Sequence, residues 1–199
     1  MYFFLKRCMD IGGGFAGCCL LALVFVPVAL LIKFTSRGPV IFSQERLTKG
    51  ERVFRFFKFR TMAIDRELTA NERNRINEMG GPIFKSRLDP RITAAGRLLR
   101  KFSIDELPQF WNVFWGDMAL VGPRPPLVHE VESYEPWMRR RLTVRAGLTG
   151  FWQVMGRSNI DFYRMMELDI DYVDHPSILR DIKILLLTVP AVLSSRGAW

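Results

Sequence analysis

Between Ile11 and Ile32 the chain carries no charged side chain, and no other feature narrows its folding options as much. As an α-helix rising 1.5 Å per residue, this run reaches about 33 Å, which matches the roughly 30 Å hydrocarbon core of a bilayer. It exceeds the ~7–15-residue apolar core of a secretory signal peptide, and the charged chain after it offers no small-residue cleavage site. The segment therefore enters a membrane, but its path is open. Pro27 removes one helical hydrogen bond and favours a kink, and Gly12, Gly13 and Gly14 loosen the start. Lys6 and Arg7 precede the run and Lys33 and Arg37 follow it, so the positive-inside tendency assigns neither flank to the far side. A hairpin with both ends on the cytoplasmic face gives that symmetry, and a spanning helix with a tolerated proline fits the same residues.

The 199 residues leave room for one domain of ordinary size beside this segment, and the expected division is 1–36, inserted in the membrane, and 37–199, membrane-associated. A hydrophobic share of 49% excludes a disordered tail. With 29 Lys+Arg against 20 Asp+Glu, the partners are expected to be anionic: phosphorylated small molecules, acidic headgroups or nucleic acid. Nucleic acid is disfavoured because the aromatics are mostly apolar-face Phe and no recognition motif is present. Cys8, Cys18, Cys19, His129 and His175 have neither disulfide-framework nor zinc spacing, which points to a reducing, cytoplasm-facing protein.

Val40 to Met62 is rich in β-branched and aromatic residues and predicts a hairpin turning at Lys49-Gly50-Glu51. Strand alternation then puts Phe54, Phe56, Lys58 and Arg60 on one side, two cations at the end of an apolar ribbon. A half-buried strand with solvated ends explains that equally. Asp65 to Met79 predicts a helix stopped at Gly80-Gly81-Pro82. Arg87, Arg91, Arg97, Arg100 and Lys101 run toward Asp105, as phosphate ligands or as a solvated face. Helical periodicity covers Phe162 to Tyr172. Within Ile178–Leu193, interrupted by Pro190, Ile182 to Val192 is too short to span a bilayer and is expected on its surface or in the core.

Two adjacent acids, Asp105 and Glu106, stand out in this basic chain. Ser103 and Glu106 have capping-box spacing, but Pro108 would then fall fifth in the helix, where it breaks the ladder; an N-cap at Asp105 makes it third, where it is tolerated. At a helix start, partial positive charge keeps a carboxylate ionised and favours a nearby phosphate. Asp105 could then act as a nucleophile toward phosphorus while its neighbour holds a hard divalent cation; a capped helix with two surface acids is the alternative. Gly122-Pro123-Arg124-Pro125-Pro126 fixes the backbone around one arginine and so aims a guanidinium suited to phosphate.

Together these residues resemble the bacterial sugar transferases, the monotopic phosphoglycosyl transferases that start glycan assembly on a polyprenol phosphate carrier. The resemblance rests on Lys6-Arg7-Cys8-Met9-Asp10, Lys58-Phe59-Arg60-Thr61-Met62, Asp89-Pro90-Arg91-Ile92-Thr93, Asp105-Glu106-Leu107-Pro108-Gln109, Gly116-Asp117-Met118, Gly122-Pro123-Arg124-Pro125 and Gly147-Leu148-Thr149-Gly150. It implies transfer of a sugar 1-phosphate from a UDP-sugar to polyprenol (undecaprenyl) phosphate, with UMP released and Mg2+ required, in exopolysaccharide, capsule, O-antigen or glycoprotein glycan assembly. Asp105 would be the catalytic nucleophile, forming a covalent phosphosugar. Glu106 would assist it, and both acids are the metal ligands. Lys58, Arg100 and Arg124 would hold phosphates, and Arg145 and Arg157 would contact the nucleotide or lipid phosphate. Ala146 stands where many relatives have proline, implying a looser loop around Arg145.

The implied fold is α+β and predominantly helical, with a re-entrant membrane helix broken at Pro27, a short hairpin and amphipathic interfacial helices around a cytoplasmic catalytic domain. The implied location is the inner membrane with the site on its cytoplasmic face. A catalytic unit without the extra N-terminal transmembrane helices of larger relatives is expected, with a homodimer left open. The competing class is a non-catalytic, membrane-anchored module that binds lipid or a partner.

Overall fold

The apolar run forms the middle of one long helix, α1 (Tyr2–Thr35), in a computed structural model that describes residues 1–78, 84, 86, 88–155 and 160–193. The chain stays helical through Pro27 rather than ending there. Gly12–Gly14 do not loosen a helix start, because α1 already begins at Tyr2. Gly14 and Gly17 instead allow close packing: a Cβ on Gly14 would lie 2.9 Å from the Phe114 backbone nitrogen, and one on Gly17 would lie 2.1 Å from the Phe110 ring. Both partners belong to α4 (Gln109–Trp115). Much of α1 remains bare, with Phe15, Leu23, Val26 and Phe34 exposed, and among the described residues it is the one helix long and apolar enough to cross a membrane.

Both ends of α1 are fastened to the rest of the protein. Near its start, Lys6 Nζ donates to the Val121 carbonyl at 2.9 Å and to Asp181 Oδ2 at 3.0 Å. Arg7 donates to the carbonyls of Val113 and Phe114, a cation at a helix C-terminus where the dipole favours it. At the far end, Arg60 donates to the carbonyls of Ser36 and Arg37.

The predicted hairpin is present as β1 (Ile41–Thr48) and β2 (Arg52–Phe59), antiparallel and turned by a 3-10 segment at Lys49–Glu51. A second, minimal sheet pairs β3 (Ala119–Val121) in parallel with β4 (Gly147–Thr149). Between the sheets lie α2 (Ala70–Ile76), α3 (Ala94–Lys101), α4 and, after β3, α5 (Val128–Glu132). The helix expected from Asp65 is shorter than predicted, because Thr69 caps α2 through the Glu72 amide and the helix ends at Asn77; Gly80–Pro82 lie outside the described residues. After β4 come α6 (Phe151–Met155), α7 (Phe162–Asp174), where periodicity predicted it, and α8 (Ile178–Leu193), helical through Pro190.

Three apolar clusters hold these elements. Val28 and Ile32 of α1 meet Phe59 and Leu99. Phe54 and Phe56 meet Val113, Val121, Tyr172 and Ile184. Leu47, Trp152, Met165 and Met166 form the third. On α8, Ile184 is buried while Leu179, Leu186 and Val189 are exposed, so the stretch expected on a membrane or in the core has one face of each kind.

Candidate active site

Asn112, buried in the middle of α4, docks that helix onto β2. Its Oδ1 accepts from the Phe57 amide at 3.2 Å and its Nδ2 donates to the Arg55 carbonyl at 2.7 Å. The amide side chain thus completes a strand edge and fixes the turn before α4 against the end of β2, which brings the acids and Lys58 together. Lys58 Nζ lies 2.7 Å from Glu106 Oε1 and 3.7 Å from Asp105 Oδ2.

The acids themselves sit on a 3-10 turn, Ile104–Glu106, one turn ahead of α4. The helix therefore starts at Gln109, with Pro108 as its N-cap residue, not at Asp105 as the sequence predicted. Ser103 turns left-handed (φ 54°) and makes no side-chain cap, so the capping-box reading is excluded and Pro108 accommodates the helix one turn later. Asp105 is 5% exposed. Burial pushes its carboxyl above the ordinary carboxylate value; Lys58 pulls it down, the Glu106 charge pushes it up and Arg100 pulls it down.

Of the cations that precede the acids, Arg91 is held by Asp89 at 2.7 Å and Arg87 lies outside the described residues. Arg100 is largely buried, donates from Nε to Thr61 Oγ1 at 3.0 Å, and acts on Asp105 through its charge. Arg60 shares no part of the site, because its guanidinium is bound to the end of α1.

Lys58 and Glu106 line one cleft with Arg124, Arg46, Gln109 and Gln153. Arg124 reaches it from a backbone fixed on several sides. The Arg124 carbonyl accepts from Arg141 at 2.8 Å and the Pro125 carbonyl accepts from Arg46 at 2.9 Å. The Leu47 amide donates to Pro126, and the Gly147 amide to Pro123. Arg141 is itself enclosed, paired with Asp169 at 2.6 Å and with the Tyr134 hydroxyl. A Cβ on Gly147 would lie 2.1 Å from the Gly122 amide nitrogen, so only glycine lets the loop close this tightly.

Arg145 is not among the residues lining the cleft; it is exposed on the approach to β4. The looser loop expected there is absent: the Ala146 amide donates to Thr48 Oγ1 and its carbonyl accepts from Ala119. Arg157 lies outside the described residues. The sequence reading missed Arg46 and Gln109, both buried at the cleft. The signal for Arg46 lay in the hairpin register, which pairs it with Phe54 and so places it on the face that carries Phe56 and Lys58.

No cluster of three or more metal-ligating side chains occurs among the described residues. Two adjacent carboxylates are nevertheless a donor set that suits Mg2+, which commonly takes one or two protein carboxylates and completes its shell with substrate phosphates and water.

The family model for the bacterial sugar transferases matches residues 1–195. The galactosyl transferase CpsE of Streptococcus agalactiae is 47% identical over 194 residues, 97% of this chain and 43% of that protein. The exopolysaccharide production protein ExoY of Rhizobium meliloti is 36% identical over 198 residues, 98% of this chain and 88% of that protein. The undecaprenyl-phosphate galactose phosphotransferase of Salmonella typhimurium is 37% identical over 206 residues, 98% of this chain and 42% of that protein. The chain thus spans under half the length of CpsE and of the Salmonella protein, and most of ExoY.

Proposed function

The chain belongs to the bacterial sugar transferase family, and from that premise we propose that it moves a sugar 1-phosphate from a UDP-sugar to polyprenol phosphate, with release of UMP, in exopolysaccharide or capsule synthesis. The observation that carries this reading is the meeting of Lys58 with the Asp105–Glu106 pair, where Lys58 and Glu106 line one cleft with Arg124 and Asp105 is buried beside them.

In the first step a carboxylate oxygen of Asp105 attacks the sugar-bearing phosphorus. The bond from that phosphorus to the bridging oxygen breaks, and its electron pair leaves on UMP. In the second step a phosphate oxygen of the lipid attacks the same phosphorus, the aspartyl bond breaks, and the carboxylate is regenerated with a polyprenyl diphosphate sugar as product. Dividing the transfer this way lets two anionic substrates use one site in turn. Lys58 keeps the nucleophile ionised against the burial that opposes it, and Arg124 and Arg100 offset phosphate charge. Asp105 and Glu106 would hold Mg2+, which neutralises phosphate charge when bound.

Membrane attachment follows from α1. A helix that crossed a bilayer directly would carry one end away from the cytoplasmic body, yet Lys6 at one end and Ser36 and Arg37 at the other are bonded to the same body. This supports a re-entrant path, with the exposed faces of α4 (Trp111, Trp115) and α8 at the interface of the inner membrane's cytoplasmic leaflet.

Purified full-length protein, given a panel of UDP-sugars, Mg2+ and undecaprenyl phosphate, is expected to release UMP with at least one donor, and Asp105→Asn to release none. Intact mass should show a phosphosugar adduct when the lipid is omitted. Normal turnover by Asp105→Asn overturns the mechanism.

A further inference from the structure

Arg46 is 8% exposed and lines the same cleft as Lys58, Glu106 and Arg124, and no carboxylate pairs with it among the described residues. Two of its N–H groups are occupied, one by the Pro125 carbonyl at 2.9 Å and one by Gln44 Oε1 at 3.0 Å. A guanidinium has five, so most of its donors are uncommitted, and its Nε has no partner. Its Cζ lies over the Phe56 ring, 5.3 Å from the ring centre, a cation–π contact that uses none of its N–H donors.

Burying a charge is costly unless an opposite charge or good hydrogen bonds compensate. Arg46 is held beside a second cation, Arg124, whose charge acts against it. Glu130 offers partial compensation from a distance, but its carboxylate is engaged in capping α5 through the Leu127 amide at 2.8 Å. Arg124 has no ion pair among the described residues either. Beside these guanidiniums the cleft also carries the buried Gln109, whose side-chain nitrogen has no partner. Cationic and amide donors gathered in one cleft, with no acid paired to either guanidinium among the described residues, form a seat suited to an anion.

Glu106 lines the cleft as well, but it is already bonded to Lys58 at 2.7 Å. As the phosphorus–oxygen bond breaks, negative charge grows on the departing phosphate, and that is where uncommitted guanidiniums are most effective. We infer that Arg46 is a phosphate ligand: with Arg124 it forms a two-guanidinium seat for the phosphate of the donor that departs with the nucleotide. This rests on the donor assignment above and adds a residue and a division of labour to it. Lys58 and Arg100 attend the attacked phosphorus and its nucleophile, and Arg46 and Arg124 attend the leaving group.

The test uses full-length protein in detergent with inorganic pyrophosphate as the probe, measured by titration calorimetry at two salt concentrations. Arg46→Gln, which retains a donor for the Pro125 carbonyl, is expected to weaken pyrophosphate binding at least tenfold and to flatten its salt dependence. Arg46→Lys, which keeps the charge without the planar fork, is expected to recover only part of that loss. Wild-type affinity in either variant overturns the assignment, including when thermal unfolding shows the variant to be less stable, since that pattern marks Arg46 as a prop for Pro125 alone. If Arg46→Gln does not fold, Arg46→Lys carries the test. Unchanged pyrophosphate affinity in the variants, alongside UMP release by the wild type, sinks the seat and leaves the transferase reading intact. Arg46-dependent pyrophosphate binding in a wild type that releases no UMP supports the seat and defeats the donor assignment.

Discussion

Lys58→Met removes the cation nearest the proposed nucleophile and should change the pH dependence of the reaction, not only its rate. Lys58 Nζ lies 3.7 Å from Asp105 Oδ2; at an effective dielectric near 20, that separation is worth about 4 kcal/mol. Lys58 is 28% exposed, so solvent screening leaves only part of that energy, and the pH profile reads its direction. Burial already holds the Asp105 carboxyl above its ordinary value, and Lys58 is the main influence opposing it. Without Lys58, Asp105 should therefore stay protonated to a higher pH. The acid limb of the kcat profile for UMP release should move alkaline. Below the shifted limb, each unit lowers the rate about tenfold. The same change carries a stability sign. A carboxyl held above its unfolded value favours the fold below that unfolded value, and this contribution is lost as pH rises through the folded one. Lys58→Met should thus lose more thermal stability at neutral than at acid pH. An acid limb that stays in place while kcat falls uniformly would refute the electrostatic role and leave Lys58 as a phosphate contact only.

Asp105→Asn removes a desolvated acid next to another acid, and it is expected to raise the unfolding temperature at neutral pH, with the gain shrinking on acidification. Asp169→Asn leaves the enclosed Arg141 without its counterion; the expected loss is about 3–5 kcal/mol by denaturant titration, together with a raised KM for the UDP-sugar, because Arg141 also holds the Arg124 carbonyl. Gly96→Ala would place a Cβ 2.0 Å from the Thr61 carbonyl oxygen. Since that obstacle is backbone, the expected cost is about 1–3 kcal/mol, and turnover should fall because Thr61 also positions Arg100.

The hairpin was legible because a glycine turn between two β-rich runs sets both the pairing and the facing of side chains, so Lys58 could be assigned to a face. Helix α7 was legible through its periodicity. Arg46 was hidden by the opposite circumstance: its same-face neighbours in β1, Gln44 and Thr48, are polar, and only the register across to Phe54 shows that it shares a face with Phe56 and Lys58. Gly13 and Gly14 were misread because propensity describes an isolated helix, whereas here the helix is packed to contact distance against Leu120 and Phe114. Arg145 was nominated by the family resemblance, and it is exposed just ahead of β4.

Ser103 explains why the start of α4 was placed too early, and it yields a last prediction. Its left-handed conformation, φ 54° and ψ 21°, carries the chain out of α3 and into the 3-10 turn that holds the acids. Non-glycine residues adopt that region at a cost of about 1–2 kcal/mol, and the sequence offers no glycine to announce it. Held next to the proposed catalytic pair, such a conformation persists only because surrounding packing enforces it; here Asp105 is enclosed and Asn112 ties α4 to β2. Ser103→Gly relieves the strain but loosens the unfolded chain, so its stability should change by no more than about 1 kcal/mol and its kcat should stay near wild type. Ser103→Val meets the full steric penalty of a β-branched side chain with positive φ. It should be destabilised by about 2 kcal/mol or more, and its kcat should fall more than its KM rises as the acids shift relative to Lys58. Equal kcat values for the valine and glycine variants would show that the turn does not aim the acids.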